Sequence, residues 1–108
     1  MRRPHRRTIK SERLLEEVGR WAGRVGVKPE RVYVQPMKRK WASCSPPGRI
    51  YLSADLTAEP PRFRDVVIVH ELLHLRIQNH GKLFKSFLNS LVPGWEREIK
   101  GKASRICR

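Results

Sequence analysis

Residues 70–74 read His-Glu-Leu-Leu-His, two imidazoles four positions apart with a carboxylate beside the first. On a helix these histidines lie about 40° apart around the axis and one turn along it, so both rings can reach one cation. Zinc accepts such nitrogens at roughly 2.0–2.1 Å, and a catalytic zinc usually takes three protein ligands, keeping a position for water or substrate. His80 is the candidate third ligand. It stands just past Asn79, where a helix break would turn the chain back toward the metal. Glu71 is then the candidate general base, accepting a proton from a zinc-bound water whose pKa falls toward about 7.

The whole pattern is HExxHxxxxxH, the elongated metzincin spacing with Ile77 in place of that signature's glycine. HExxH alone arises by chance in many helices. Here three of the chain's four histidines fall within the pattern, on a strongly apolar segment. An unliganded glutamate between two imidazoles would be costly to bury there, and a coordinated cation removes that cost. The fourth histidine, His5, sits in a basic stretch and reads as solvated.

The elements that must position these groups follow from periodicity. Residues 8–25 predict an amphipathic helix with Leu14, Val18, Trp21 and Val25 inward and Leu15 and Ala22 beside them. Thr8 or Ser11 could cap its start, and Gly26 could end it. Residues 31–35, 40–44 and 49–52 predict three strands of a small, mostly antiparallel sheet, the last two joined by a turn at Ser45-Pro46-Pro47-Gly48. Asp55 to Pro61 reads as a linker. The HExxH helix is expected over 62–78 with Pro61 in its first turn. A further helix over 82–91 should turn Leu83, Phe84, Phe87, Leu88 and Leu91 inward, and a last short one runs from Trp95 to about Ala103.

The chain has 108 residues, which suits one domain: residues 8–108, after a basic N-terminal arm over 1–7. Lys and Arg number 24 against 10 Asp and Glu, a balance of +14 that favours polyanionic partners such as nucleic acid. The bland alternative is a solvated surface. No apolar stretch follows the basic start and none is long enough to span a bilayer, so the expectation is a cytoplasmic protein without membrane contact. Lys38-Arg39-Lys40 beside Trp41 could meet phosphate, although charge runs are usually solvated faces.

Lys40-Trp41-Ala42-Ser43-Cys44-Ser45, Val67-Ile68-Val69-His70-Glu71-Leu72-Leu73-His74-Leu75 and Asn79-His80-Gly81-Lys82-Leu83-Phe84 together resemble the YgjP-like metallopeptidase family. That family carries an RWGSC-type strand, a VVxHELxHL helix and an NHxxxF segment, in this order and spacing. The resemblance spans roughly residues 31–95. It implies an α+β, minimal zincin-like fold: a small antiparallel or mixed three-stranded sheet packed on the HExxH helix, with flanking helices. It implies zinc on His70, His74 and His80, catalysis by Glu71, and kinship with SprT-like proteases, which act on DNA-bound proteins. Ala42 stands where the family usually has Gly, Lys40 where it has Arg, and Val66 where members often have Tyr.

The function expected is a metallopeptidase using one Zn²⁺ on peptide or protein substrates, with nucleic acid as a candidate further partner. A nucleotide phosphoanhydride hydrolase at the same metal, and a nucleic-acid-binding module with structural zinc, are the rival readings. Cys44 reads as a small inner-strand residue rather than a fourth ligand. Trp41 and Tyr51 read as core. Tyr33, Tyr51 and Arg76 are the candidates for steadying a developing oxyanion. Strand 40–44 could offer its edge to an extended peptide.

Overall fold

The computed structural model describes residues 9–102. Helix α1 (Ser11–Val25) leads to β1 (Arg31–Gln35), β2 (Ala42–Ser45) and β3 (Arg49–Ser53), then a 3-10 turn (Ala54–Ala58), α2 (Pro61–Leu73), α3 (Lys82–Leu91) and α4 (Trp95–Glu98). The α+β class and the three-stranded sheet against the HExxH helix are as expected.

Helix α1 buries Leu14, Val18, Ala22 and Val25, the stripe that the 3.6 period selects. Trp21 is half-buried and Leu15 faces solvent. Ser11 is the first helical residue rather than the cap; the capping position is Lys10, which gives no side-chain hydrogen bond. Thr8 lies outside the described residues. At the other end Gly26 takes φ 83°, a left-handed conformation that glycine adopts at little cost, and its N–H closes on the Ala22 carbonyl.

The sheet order is β1-β3-β2, with β3 parallel to β1 and antiparallel to β2. It is therefore mixed, not mostly antiparallel. The connection over 36–41 carries the chain past the end of β3, where the Ser53 hydroxyl donates to the Met37 carbonyl and the Ser53 N–H to that of Trp41. Val32, Val34, Ile50, Leu52, Ala42 and Cys44 share the face turned to the helices. The 55–61 segment is more than a linker: Leu56 is buried within the 3-10 turn, which Ser53 caps by accepting from the Asp55 N–H.

Helix α2 is the centre of the core, burying Phe63, Val66, Val67, Ile68, Val69, Leu72 and Leu73. It starts at Pro61 as expected but ends at Leu73, short of Gln78. Beyond Leu73 the apolar residues are only half-buried, and the chain tightens into i→i−3 turns: the Leu75 N–H reaches Leu72 and that of Arg76 reaches Leu73. Helix α3 has the expected bounds but a narrower inward face. Phe84 and Leu88 are buried, whereas Leu83 and Phe87 remain 61% and 46% exposed, because one row of a helix cannot face the core with its neighbour about 100° away. Helix α4 ends at Glu98, and Ala103 lies outside the described residues.

Two polar ties fix α2 to α1. Arg64 donates from Nε and Nη2 to the two carboxylate oxygens of Glu17 at 2.9 and 2.7 Å, and from Nη1 to the Glu59 carbonyl at 2.8 Å. Trp21 donates from Nε1 to Asp65 at 3.0 Å. Among the described residues no helix is long and apolar enough to cross a membrane.

Candidate metal centre

His70 and Glu71 lie in the last turn of α2, His74 is its C-cap residue, and His80 follows in the connection to α3. His74 keeps right-handed helical angles, φ −65° and ψ −16°, so the one-turn relation to His70 survives although the regular helix has ended. The early end lets the chain swing His80 back. One ring nitrogen from each of the three histidines lies within 4.8 Å of the others, and the Nε2 atoms of His74 and His80 are 2.7 Å apart. Phe84, four residues after His80, packs against all three imidazoles with ring centroids 5.3, 4.9 and 4.8 Å from those of His70, His74 and His80.

Glu71 is only 1% exposed. Its Oε2 lies 3.1 Å from His70 Nδ1, while Oε1 is buried with no hydrogen-bond partner among the described residues. A His70 tautomer that donates from Nδ1 to this oxygen keeps Nε2 as a lone-pair nitrogen able to meet a cation. Burial pushes the His74 pKa down, and the neighbouring His70 adds to the effect. Both favour the neutral ring, the form that binds a metal. The donor set, three imidazoles beside a carboxylate with an unsatisfied oxygen, fits a divalent ion of zinc's preferences.

Two openings flank this group. On the His74 side a cleft of about 320 Å³ runs between the β2–β3 turn and Leu75 and Gln78. Behind His70 and His80 lies an apolar cavity of about 90 Å³ walled by Val66, Phe84, Leu88, Trp95 and Ile99, with Lys85 at its side. Val66, the departure noted in the sequence, is thus part of the wall.

Other candidates stand elsewhere. Cys44 is half-buried and lines the cleft, but it is not one of the three converging ligands. Tyr33 and Tyr51 stack on each other, centroids 5.1 Å apart, on the sheet face turned away from the helices, so Tyr51 is not a core residue. Arg76 donates toward the Val25 carbonyl at 3.4 Å, across from the end of α1. None of these three lines either opening at the histidines. Trp41 is buried as expected, edge-on to Phe63. Sequence reasoning missed Gln78, Lys85 and the wall formed by Trp95 and Ile99. Only Phe84 carried a signal, as the last residue of the NHxxxF segment.

The YgjP-like metallopeptidase domain model matches residues 1–100. Among proteins with curated descriptions none matches the sequence. The metallopeptidase zymogen abylysin of Pyrococcus abyssi has a similar fold, with a TM-score of 0.71 at 18% identity, covering 87% of this chain and 99% of that one. The metallopeptidase zymogen jannalysin of Methanocaldococcus jannaschii aligns with a TM-score of 0.71 at 24% identity, covering 82% of this chain and 91% of that one. At these identities the two structures speak for the fold, and the family match speaks for the chemistry. The family model covers nearly the whole chain, and the chain belongs to the YgjP-like metallopeptidase family.

Proposed function

We propose that the chain hydrolyses peptide bonds with one zinc ion held by His70, His74 and His80 and with Glu71 as general base. The observation that carries this reading is the convergence of three ring nitrogens beside a buried carboxylate whose Oε1 has no partner among the described residues. When bound, zinc supplies Lewis acidity that polarises a carbonyl and makes water easier to deprotonate. Glu71 takes the proton of the attacking water on Oε1 and passes it to the leaving amine. Its Oε2 stays against His70 Nδ1, which keeps the carboxylate oriented through the transfer. Phe84 prevents the three rings from rotating out of register.

Substrate enters along β2. This strand is a sheet edge, so an extended peptide can add to its unpaired side by backbone hydrogen bonds and run along the cleft past His74. The apolar cavity behind His70 and His80 is of a size for one aliphatic side chain, which favours scissile bonds flanked by Val, Leu or Ile. The +14 balance suits proteins bound to polyanions as substrates.

Purified protein should hold about one zinc per chain by mass spectrometry, lose it in His80→Ala, and cleave an unstructured peptide library until a chelator is added. Failure of the wild type to take up zinc, or cleavage indifferent to chelator, overturns the reading. Phosphate release from nucleoside triphosphates without peptide cleavage would transfer the same residues to phosphoanhydride hydrolysis.

A further inference from the structure

The sheet has a second side. Residues on alternate positions of a strand share a face, and the register sets Tyr33 beside Tyr51 beside Ser43 in one row and Arg31 beside Arg49 beside Ser45 in the next. These rows lie opposite the face that packs on the helices. Tyr33 is 39% exposed, Tyr51 is half-buried, and Arg31 and Arg49 are exposed. The tyrosine rings are 15° from parallel, so they stand as a stacked pair with Ser43, a small residue, on the far side of Tyr51.

Charge brackets the pair at both ends. Ser53 continues the same face beyond Tyr51, and its hydroxyl donates to the Met37 carbonyl, which brings the 36–40 connection to that end. Lys38 and Arg39 are exposed on this connection. Arg31 and Arg49 lie at the other end, about 7 Å from the tyrosine row. From residue 31 to residue 53 the sequence contains no Asp or Glu at all. Two acids border the face: Glu30, which pairs with Arg49 at 3.1 Å, and Asp55, exposed two residues beyond Ser53.

We infer that this outer sheet face binds single-stranded nucleic acid, with bases stacking on Tyr33 and Tyr51 and phosphates meeting Arg31 and Arg49 at one end and Lys38 and Arg39 at the other. Aromatic rings on an open sheet flanked by cations suit unpaired bases, which present a π-face regardless of sequence. A duplex hides those faces and offers only its backbone. An acidic protein would use the cations and leave the tyrosines without a role. The inference deepens the polyanion part of the proposed function and is independent of the hydrolytic chemistry on the opposite side of the sheet.

The test is fluorescence anisotropy of the full chain with short oligo(dU), oligo(U), a mixed-sequence duplex of equal length and polyglutamate. Binding to one or both single strands is expected, tighter than to duplex. Preference for oligo(U) would identify RNA through its 2′-hydroxyl, and equal binding would identify either strand as a ligand. Tyr33→Ala and Tyr51→Ala should each weaken binding roughly five- to hundredfold. Tyr33→Phe and Tyr51→Phe should retain it, which separates ring stacking from loss of fold. Arg31→Gln and Lys38→Gln should each lower the salt-dependence slope by about 0.7. All these variants should keep wild-type zinc content, and Glu71→Gln should bind oligonucleotide as the wild type does even where peptide cleavage is lost. Equal affinity for duplex or polyglutamate, or wild-type affinity in the Tyr33→Ala/Tyr51→Ala double variant, overturns the inference.

Discussion

Helix α2 buries charge twice, about two turns apart, and does so in opposite ways. At its start Arg64 is matched completely: both Glu17 oxygens and the Glu59 carbonyl accept from its three guanidinium nitrogens. At its end Glu71 is more deeply buried, yet only one of its oxygens has a partner among the described residues. A complete cluster spends its hydrogen bonds on holding α1 to α2. An incomplete one leaves a strong acceptor without a partner beside three nitrogens that could hold a metal, at a cost to stability that the proposed role of Glu71 as base would account for. On the proposed function, the contrast separates scaffold from chemistry within one helix.

The largest effect should come from the incomplete cluster and should fall on rate. Glu71→Gln preserves shape and removes the proposed base, so kcat for peptide cleavage should drop by about 10²–10⁴-fold. Zinc content should be unchanged, and the metal-stripped variant should be more stable than metal-stripped wild type by about 1 kcal/mol, since a buried unpaired oxygen loses its charge. Steady-state kinetics, mass spectrometry and urea denaturation check the three parts. A variant that loses stability rather than gaining it would break the comparison.

The complete cluster should behave in reverse. Arg64→Ala leaves the buried Glu17 with only the exposed Arg13, 3.8 Å away, and should cost about 3 kcal/mol of stability. Glu17→Leu combined with Arg64→Met removes both charges and should recover most of that loss. Below its unfolding transition, each folded variant should keep its zinc and its kcat. A double variant as unstable as the single one would mean that the pair supplies more than mutual compensation.

These two clusters were not equally legible in the sequence. His70, Glu71 and His74 interact through local helix geometry, whereas His80 is brought back by a helix end at Leu73, earlier than the break expected at Asn79. The Glu17–Arg64 pair spans 47 positions and depends on how two helices meet. Its one trace was Glu17 falling between Leu14 and Val18 on the apolar stripe of α1, a place where a charge needs a partner. The same limit explains α3: periodicity defines its faces, but only tertiary packing decides that the Phe84 and Leu88 row is covered and the Leu83 and Phe87 row is not. It also explains β1, whose five residues read as a strand while its parallel pairing with β3 depends on the path of 36–41. Tyr51, read as core, instead stands with Tyr33 opposite the valines of β1. What the sequence could not supply was which face the helices would occupy.

Asp65, next to Arg64, offers the finest test of the rule that incomplete satisfaction marks cost. Burial raises its pKa and nearby Glu17 adds to the rise, while the hydrogen bond from Trp21 opposes it. A carboxyl whose folded pKa is raised favours folding while protonated, and that contribution is lost as pH rises through the folded value. Asp65→Asn keeps an oxygen for Trp21 Nε1 and removes the charge. It should therefore be slightly more stable than wild type at neutral pH, by less than about 1 kcal/mol. The gap should widen as pH is raised from about 4, the ordinary Asp value, toward neutrality, because only the wild type takes up a proton at this site on folding. Urea midpoints of the two proteins across that range measure it. A gap that narrows with rising pH would mean that the Trp21 hydrogen bond and Arg64 outweigh desolvation, which would make Asp65 a member of the complete cluster rather than its strained neighbour.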